Sequence, residues 1–525
     1  MSIKTCAWCV PANKPMMLLS VALGHHDANM AYCDGPQVRY IKFERVKQIK
    51  RFGFQGLQGW QEDVRSIWGL DVGAFDDVAL GFDPGALPDD LKKHLSHLAL
   101  HRLAFDQSKA ERLAPALCDY LGLRQAWLVS HHYSHALSTW MQAPQPDVQI
   151  VIDGLGDGRP WSVYRGDKLV AMGHIQNGSI GWGMRDAGKL LGIKFGHYND
   201  IAGKLMGLQS YGRIDTRYLA WLQRFDFLQL KEVWSYRHWR AYKQDALLAQ
   251  LTALDWAATV HERMAELLLD FFKQFAHPTE VVAYSGGVAQ NVIWNARLKA
   301  HFPKLVIAPH ACDEGLSLGG LEWLRCQHGA SALSLPDFPY DQSDTGVAAP
   351  GDDTVRQVAQ WLAQGKIVGW YQGRGEIGPR ALGHRSILMD PRLQNGRALV
   401  NAIKQRENYR PFGASVLSER FDDYFLGDQD AFMLLASTVR SAQFAAITHV
   451  DGSCRVQSVG PECAALRRLL LQFDALTGCP VLLNTSLNLA GKPIAATPES
   501  ARQLFAQSPM DVMVIGDELL IKGSC

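Results

Sequence analysis

Four apolar runs in this chain end in a glycine-rich or polar turn. They are MLLSVALG into HHDAN (17–29), AWLVS into HHYSH (126–135), VQIVIDG into LGDG (148–158) and VVAYSGG into VAQN (281–291). Short apolar runs closed by turn residues predict buried strands. Strands alternating with helical stretches predict α/β layers that bind ligands at the strand ends. Helical apolar spacing predicts packing helices over 98–123 and 255–275. The stretch 330–353 is rich in Pro, Ser, Asp and Gly and predicts a linker. After it, VRQVAQWLAQG and KIVGWYQG read as a helix and a strand that open a second domain. No internal sequence repeat and no low-complexity tract stands out.

Composition narrows the class. The chain has 525 residues, 47% hydrophobic and 20% charged, which predicts a globular enzyme of two or three domains. No apolar run approaches membrane-spanning length. The N-terminal apolar stretch reads as a first strand rather than an export signal. Ten cysteines are scattered, and Cys6 and Cys9 form one CxxC without a second pair at zinc spacing. Together these predict a reducing, cytoplasmic setting. The formal net charge is only +1. Against that neutral background, residues 372–412 concentrate Arg374, Arg380, Arg385, Arg392, Arg397, Lys404, Arg406 and Arg410 among glycines and prolines. A local cationic cluster predicts a compact anion site, not a nucleic-acid track.

Several constellations suit chemistry. In HHYSH, His131 and His135 stand four apart, so on a helix both imidazoles share one face. They either grip a metal ion or are hydrogen-bonded helix histidines. Asp313 in HACDEGLSLGG is the candidate third ligand. Asp153, Gly154 and Asp157 follow one strand, and Gly286, Gly287 and Asn291 follow another. Such turns either approach a phosphate or make a hairpin, and Asp153 with Asp157 can hold Mg²⁺. AGKLMGLQSYG sets Lys204 among glycines and reads as a nucleotide-contacting loop in preference to an ordinary helix-to-turn join. His26, with Asp27, sits at a turn where a base or a phosphate-water ligand belongs, or is a hydrogen-bonded structural histidine. Lys404 and Arg406 stand two apart, as do Arg455 and Gln457. On strands each pair faces one way. NTSLN adds Thr485, Ser486 and Asn488, or is a plain turn. No P-loop and no convincing dinucleotide fingerprint is present.

Lys404-Gln405-Arg406 with Ser486-Leu487-Asn488 resembles the YrdC-like carbamoyl-adenylating fold. HHYSH, IVIDGLGDG, AGKLMGLQSYG, SGGVAQN and CDEGLSLGG resemble the actin-like, metal- and nucleotide-binding domain of tRNA threonylcarbamoyl transferases. In this order, with GRGEIGPRALGHRSILMDPR between them, they resemble the O-carbamoyltransferases of the NodU/CmcH type over about residues 18–522. The resemblance implies an α/β protein. An actin-like ATPase domain covers 1–335, a linker 336–353 and a YrdC-like domain 354–525.

It also implies a two-step reaction. Carbamoyl phosphate and ATP (with Mg²⁺) would form carbamoyl-adenylate at Arg380, Lys404, Arg406, Arg410, Arg455, Ser486 and Asn488. The adenylate would then bind near Asp153, Gly154, Lys204, Gly286, Gly287 and Asn291. There an ion held by His131, His135 and Asp313, implied to be Fe²⁺ or another divalent metal, would assist transfer to a hydroxyl. His26 would be the general base, and Lys50 would bind the leaving phosphate. The chain departs from the family pattern at Gln48, where Arg is usual, and in HHDAN. The expected partner is a small-molecule hydroxyl acceptor, with no nucleic acid or membrane, and the chain is a monomer or homodimer. The rivals are a tRNA threonylcarbamoyl-type modifier and a non-catalytic actin-like ATP-binding protein.

Overall fold

A computed structural model describes residues 16–82, 109–174, 178–224 and 250–523. Cys6, Cys9 and the start of the expected 98–123 helix lie outside them. The rest of that segment is a strand, Ala110–Arg112, followed by a helix, Pro115–Leu121. Proline at the first helical position starts the helix there, so the apolar spacing upstream does not continue through it.

The architecture is mixed α/β, built on three sheets. The first runs, in spatial order, Gln37–Lys42, Asn29–Asp34, Met17–Ala22, Asp77–Gly81, Trp127–Val129 and Ala110–Arg112. Its strand Met17–Ala22 pairs antiparallel with Asn29–Asp34 and parallel with Asp77–Gly81. The second runs Leu305–Ile307, Val282–Ser285, Val148–Gly156, Arg159–Arg165 and Lys168–Met172. Its strand Val148–Gly156 pairs antiparallel with Arg159–Arg165 and parallel with Val282–Ser285. Both sheets therefore repeat one plan: a first strand, two hairpin strands on one side, two parallel strands on the other. The sequence shows no repeat because strand pairing fixes this plan through apolar periodicity alone, which many residue choices satisfy.

The third sheet has nine strands and contains Ser453–Val459, Gly413–Leu417, Val481–Ser486 and Arg385–Met389 side by side. The 23-residue helix Ala253–Phe275 matches the expected one and is capped by the Thr252 side chain on Asp255 N. No helix among the described residues is long and apolar enough to cross a membrane.

The stretch expected as a linker is a packed strap. Ser334 and Gln342 bridge to the first sheet at Gln37 and Tyr40, and Val347 bridges to Gly373. Tyr340, Asp341 and Gln342 are buried. Asp344 accepts from Gly375 N at 2.8 Å and from Arg385 at 3.1 Å. Polar composition misled the reading because several of these polar groups turn into the protein rather than to solvent, Asp344 onto Gly375 N and Arg385 among them.

Helix Leu316–Gln327 crosses helix His131–Ser138 at Gly319, where a Cβ would lie 1.8 Å from Ser134 O. Only glycine permits that approach. Gly319→Ala is expected to lower Tm by about 4 °C or more, because overpacking costs about 1–3 kcal/mol. Gly203→Ala, with open space at its Cβ in a helix, is expected to leave Tm unchanged or raise it. Differential scanning calorimetry compares the two.

Candidate functional site

Helix His131–Ser138 begins where strand Trp127–Val129 ends. Ser130 caps it, and the Asp157 carboxylate accepts from Ser130 Oγ (2.7 Å) and His131 N (2.6 Å). Asp157 is therefore a helix-capping group here, not the Mg²⁺ ligand its spacing suggested. The Asp157-Gly158 turn is also the expected hairpin, with both residues at positive φ.

The helix puts His131 and His135 on one face, with their Nε2 atoms 3.1 Å apart. His131 Nε2 lies 3.3 Å from Asp153 Oδ2, and His135 Nε2 lies 3.3 Å from Asp313 Oδ1. The donor atoms of these four residues all lie within 4.8 Å of one another. Two imidazoles and two carboxylates can hold a divalent cation of intermediate softness. The cluster also acts on His131. Burial lowers its pKa, but the Asp153 hydrogen bond and the charges of Asp313, Asp153 and Asp157 carry it up to about 9. The carboxylates thus already draw a positive charge to this spot. His132 points away, bonds to Ser162 Oγ and Arg159 O, and is held neutral by burial, with its pKa down to about 3.

Glycines make room for the ligands. A Cβ on Gly156 would lie 2.2 Å from the His131 ring. Gly286 has φ +95 and abuts Ile152 O, while Gly287 N donates to Asp153 Oδ1 at 2.8 Å. Asn29 fixes the third ligand: its amide donates to Asp27 O and Asp313 O, both at 2.8 Å, and it accepts from Ser317 N.

His26 sits beside this group. Its Nδ1 is 3.0 Å from Asp27 Oδ2 and 3.5 Å from Asp313 Oδ2, and its Nε2 is 3.1 Å from Asn199 Nδ2. Burial lowers its pKa, yet the Asp27 hydrogen bond and the charges of Asp313 and Asp27 outweigh it, so the net shift is upward. Asp27 is in turn held by Lys42 (3.1 Å) and Arg51 (3.0 Å). Lys42 also pairs with Glu44 and Glu314. Sequence reasoning passed over Lys42, Arg51 and Glu314. The Lys50-Arg51 dipeptide was a signal, but one dimension does not say which cation turns inward. Arg51 grips Asp27 and Asp200, whereas Lys50 lies 3.6 Å from Asp200 with 38% of its side chain exposed. Gln48, at φ +53, ends the short helix Phe43–Lys47 and donates to Arg45 O.

The second constellation belongs to the third sheet. Lys404 Nζ donates to Ser486 O (2.6 Å), Ser486 Oγ (3.1 Å) and Asn488 Oδ1 (2.6 Å). Lys404 and Arg406 do not share a strand face as expected. Lys404 ends helix Gly396–Lys404, and Gln405 in the left-handed region turns the chain so that both reach the site. Arg406 donates to Asn401 Oδ1 and Pro411 O and lies over the Phe412 ring at 4.1 Å.

Arg380 reaches Gln290 Oε1 of the second sheet's unit at 3.5 Å. The Nε atoms of Arg380 and Arg455 are buried without a partner. Gln457, two residues beyond Arg455, is a buried structural group bonded to Ser415 Oγ and Leu382 O. Among the described residues none of Arg380, Lys404, Arg406 and Arg455 has a carboxylate within ion-pair distance. Burial and the mutual repulsion of these cations hold the pKa of Lys404 and Arg455 well below their usual values, and bring Arg406 down to about 9.

Only half of the eight cations in residues 372–412 face this space. Arg374 pairs with Asp337 and Asp341, and Arg392 with Asp390. Arg397 donates to Ala445 O and Thr448 O. Arg385 is buried against Asp344, Gln372 O and Gly373 O and lies 3.6 Å over the Tyr371 ring. Within GRGEIGPRALGHR, Glu376 Oε1 accepts from Leu382 N, His384 N and Arg385 N. That single carboxylate shapes the loop that presents Arg380.

One cavity of about 1300 Å³ joins the two constellations. His26, Lys50, His131, Asp153, Gly154, Lys204, Gly287, Asn291 and Asp313 line it, as do Arg380, Lys404, Arg406, Arg410, Arg455, Ser486 and Asn488. Gly286 and His135 stand behind its wall. Asn291 serves locally as the cap of helix Val292–His301. Lys204 lies in helix Asp200–Leu208 and not in the expected loop. Its ammonium donates to Lys194 O and Glu407.

Two family profiles match this chain. One, described as "Carbamoyltransferase N-terminus", covers residues 92–321, and "Carbamoyltransferase C-terminus" covers 359–522. An uncharacterized protein of Synechocystis is 32% identical over 475 residues, 75% of each chain. Nodulation protein NolO of Bradyrhizobium diazoefficiens is 31% identical over 440 residues, 75% of this chain and 79% of that one. A 3'-hydroxymethylcephem-O-carbamoyltransferase of Amycolatopsis lactamdurans is 35% identical over 277 residues, about half of each chain (50% and 52%).

Gly156→Ala pushes on the His131 ring and is expected to weaken divalent-metal binding about 10- to 100-fold while the fold survives. Metal analysis after dialysis, beside circular dichroism, checks it. Full metal content in the variant contradicts the ligand assignment.

Proposed function

The chain belongs to the carbamoyltransferase family, and from that premise we propose that it is an ATP-dependent O-carbamoyltransferase acting on a small-molecule hydroxyl. We read the duplicated sheet plan as an actin-like unit over 1–335, joined by the 336–353 strap to a YrdC-like unit over 354–525. The observation that carries the proposal is the shared cavity. Cations and a His/Asp metal group face one cavity.

In the first step, carbamoyl phosphate is hydrolysed to carbamate and phosphate. A carbamate oxygen attacks the α-phosphorus of ATP (with Mg²⁺), and pyrophosphate leaves to give carbamoyl-adenylate. Arg380, Lys404, Arg406, Arg410 and Arg455 supply positive charge where phosphate oxygens gather, and Ser486 and Asn488 orient Lys404.

In the second step the adenylate reaches the His/Asp end of the same cavity, between Asp153-Gly154 and Gly287-Asn291. His131, His135, Asp313 and Asp153 would hold a divalent ion, proposed as iron, which would supply Lewis-acid chemistry there. Asp27 accepts the His26 Nδ1 proton, which leaves Nε2 to take the proton of the acceptor hydroxyl. The alkoxide oxygen bonds to the carbamoyl carbon and AMP leaves. Lys50 and Arg51 stand near the departing phosphate.

Lys404→Ala is expected to reduce carbamoyl-phosphate-dependent ATP–pyrophosphate exchange by about a hundredfold or more, with metal content unchanged. Normal exchange in this variant contradicts the first step. His131→Ala is expected to lose metal and carbamoyl transfer while retaining exchange. Loss of exchange in a folded His131→Ala protein contradicts the division of labour.

A further inference from the structure

One carboxylate stands among the anion-site cations. Glu407 follows Arg406 by one residue and precedes Arg410 by three, and it lines the same cavity. Its Oε2 is 3.8 Å from Arg410 Nη1. Its Oε1 is held by Lys204 Nζ, which comes from the other unit of the protein. A carboxylate free to turn onto Arg406 and Arg410 is an internal competitor for the anion those residues attract.

Lys204 is well placed to prevent that. Its side chain is 11% exposed, and its ammonium also donates to Lys194 O at 2.6 Å, so it is fixed from two sides. Helix Asp200–Leu208, which carries it, is anchored at both ends. At the start, Asp200 accepts from Arg51 Nη2 at 2.9 Å. Near the end, Gly207 O accepts from His449 Nε2 at 2.8 Å, and beyond the helix Ser210 Oγ donates to Asp451 at 2.6 Å. Lys204 is therefore held in place, and Glu407 is divided between two cations, with Oε1 on Lys204 and Oε2 at the longer distance from Arg410.

We propose that Lys204 is a positioning residue for the anion site: by holding one oxygen of Glu407 it limits that carboxylate to a long contact with Arg410 and keeps it from closing onto Arg410 and Arg406, so the cavity stays open to a phosphorylated substrate. This rests on the anion-site reading above. It assigns Lys204 to substrate capture in the opposite unit and not to direct contact with the nucleotide.

The test uses the full-length, metal-loaded protein and carbamoyl-phosphate-dependent ATP–pyrophosphate exchange. Lys204→Met is expected to raise KM for carbamoyl phosphate about fivefold with kcat within about twofold, the scale of a partly exposed charge. Lys204→Arg, which can still hold Glu407, is expected to stay within about twofold of wild type. The decisive variant is Lys204→Met with Glu407→Gln. With the competing charge gone, its KM is expected to return to within about twofold of wild type. An unchanged KM in Lys204→Met overturns the proposal. So does a raised KM that persists in the double variant, which indicates that Lys204 touches substrate or merely tethers the loop. If the wild-type protein catalyses no such exchange, the function proposed above fails separately. Calorimetric affinity for inorganic pyrophosphate then carries the same comparison: rescue in the double variant supports the pairing, and invariant affinity overturns it.

Discussion

Burying several cations side by side without anions is costly, several kcal/mol per ion. Lys404 is buried that way, with Arg380, Arg406 and Arg455 half-buried beside it. Neutral acceptors satisfy Lys404, an aromatic ring lies under Arg406, and the two other guanidinium groups keep unpartnered Nε atoms. Such an arrangement is stable only because the surrounding sheet and the Glu376-centred loop over-determine it. Its natural resolution is a bound polyanion.

The metal group shows the complementary constraint. Two carboxylates and two imidazoles gather negative potential at the other end of the same space. The cations and a group suited to a divalent ion thus line one space. Glycines set the tolerances at this end. Gly156 admits the His131 ring, Gly287 fixes Asp153, and Gly319 lets the ligand-bearing helix pack.

Much of this was legible in the sequence, for identifiable reasons. Apolar runs ending in polar turns marked the four strands that lead into the site, because buried strands and ligand-facing turns have distinct compositions. Histidines four apart on a helix after a strand gave the metal face. What the sequence hid depended on three dimensions. Arg385, Arg392 and Arg397 looked like site cations, but their partners come from the strap, from the chain two residues back and from distant carbonyls. Lys404 and Arg406 meet through a left-handed turn, which no periodicity announces. Asp153 was assigned to nucleotide contact because its part in the metal group is visible only once the second sheet lies beside the helix. The duplicated sheet plan was invisible for the same reason.

The central claim is that the buried cations form the anion-binding end of a cavity shared with the metal group. Diffraction from crystals soaked in tungstate tests it most directly. The account predicts an anomalous peak among Arg380, Lys404 and Arg455, facing the His131–Asp313 cluster across the cavity. Tungstate found only on surface lysines, with that space empty of anion, would contradict it.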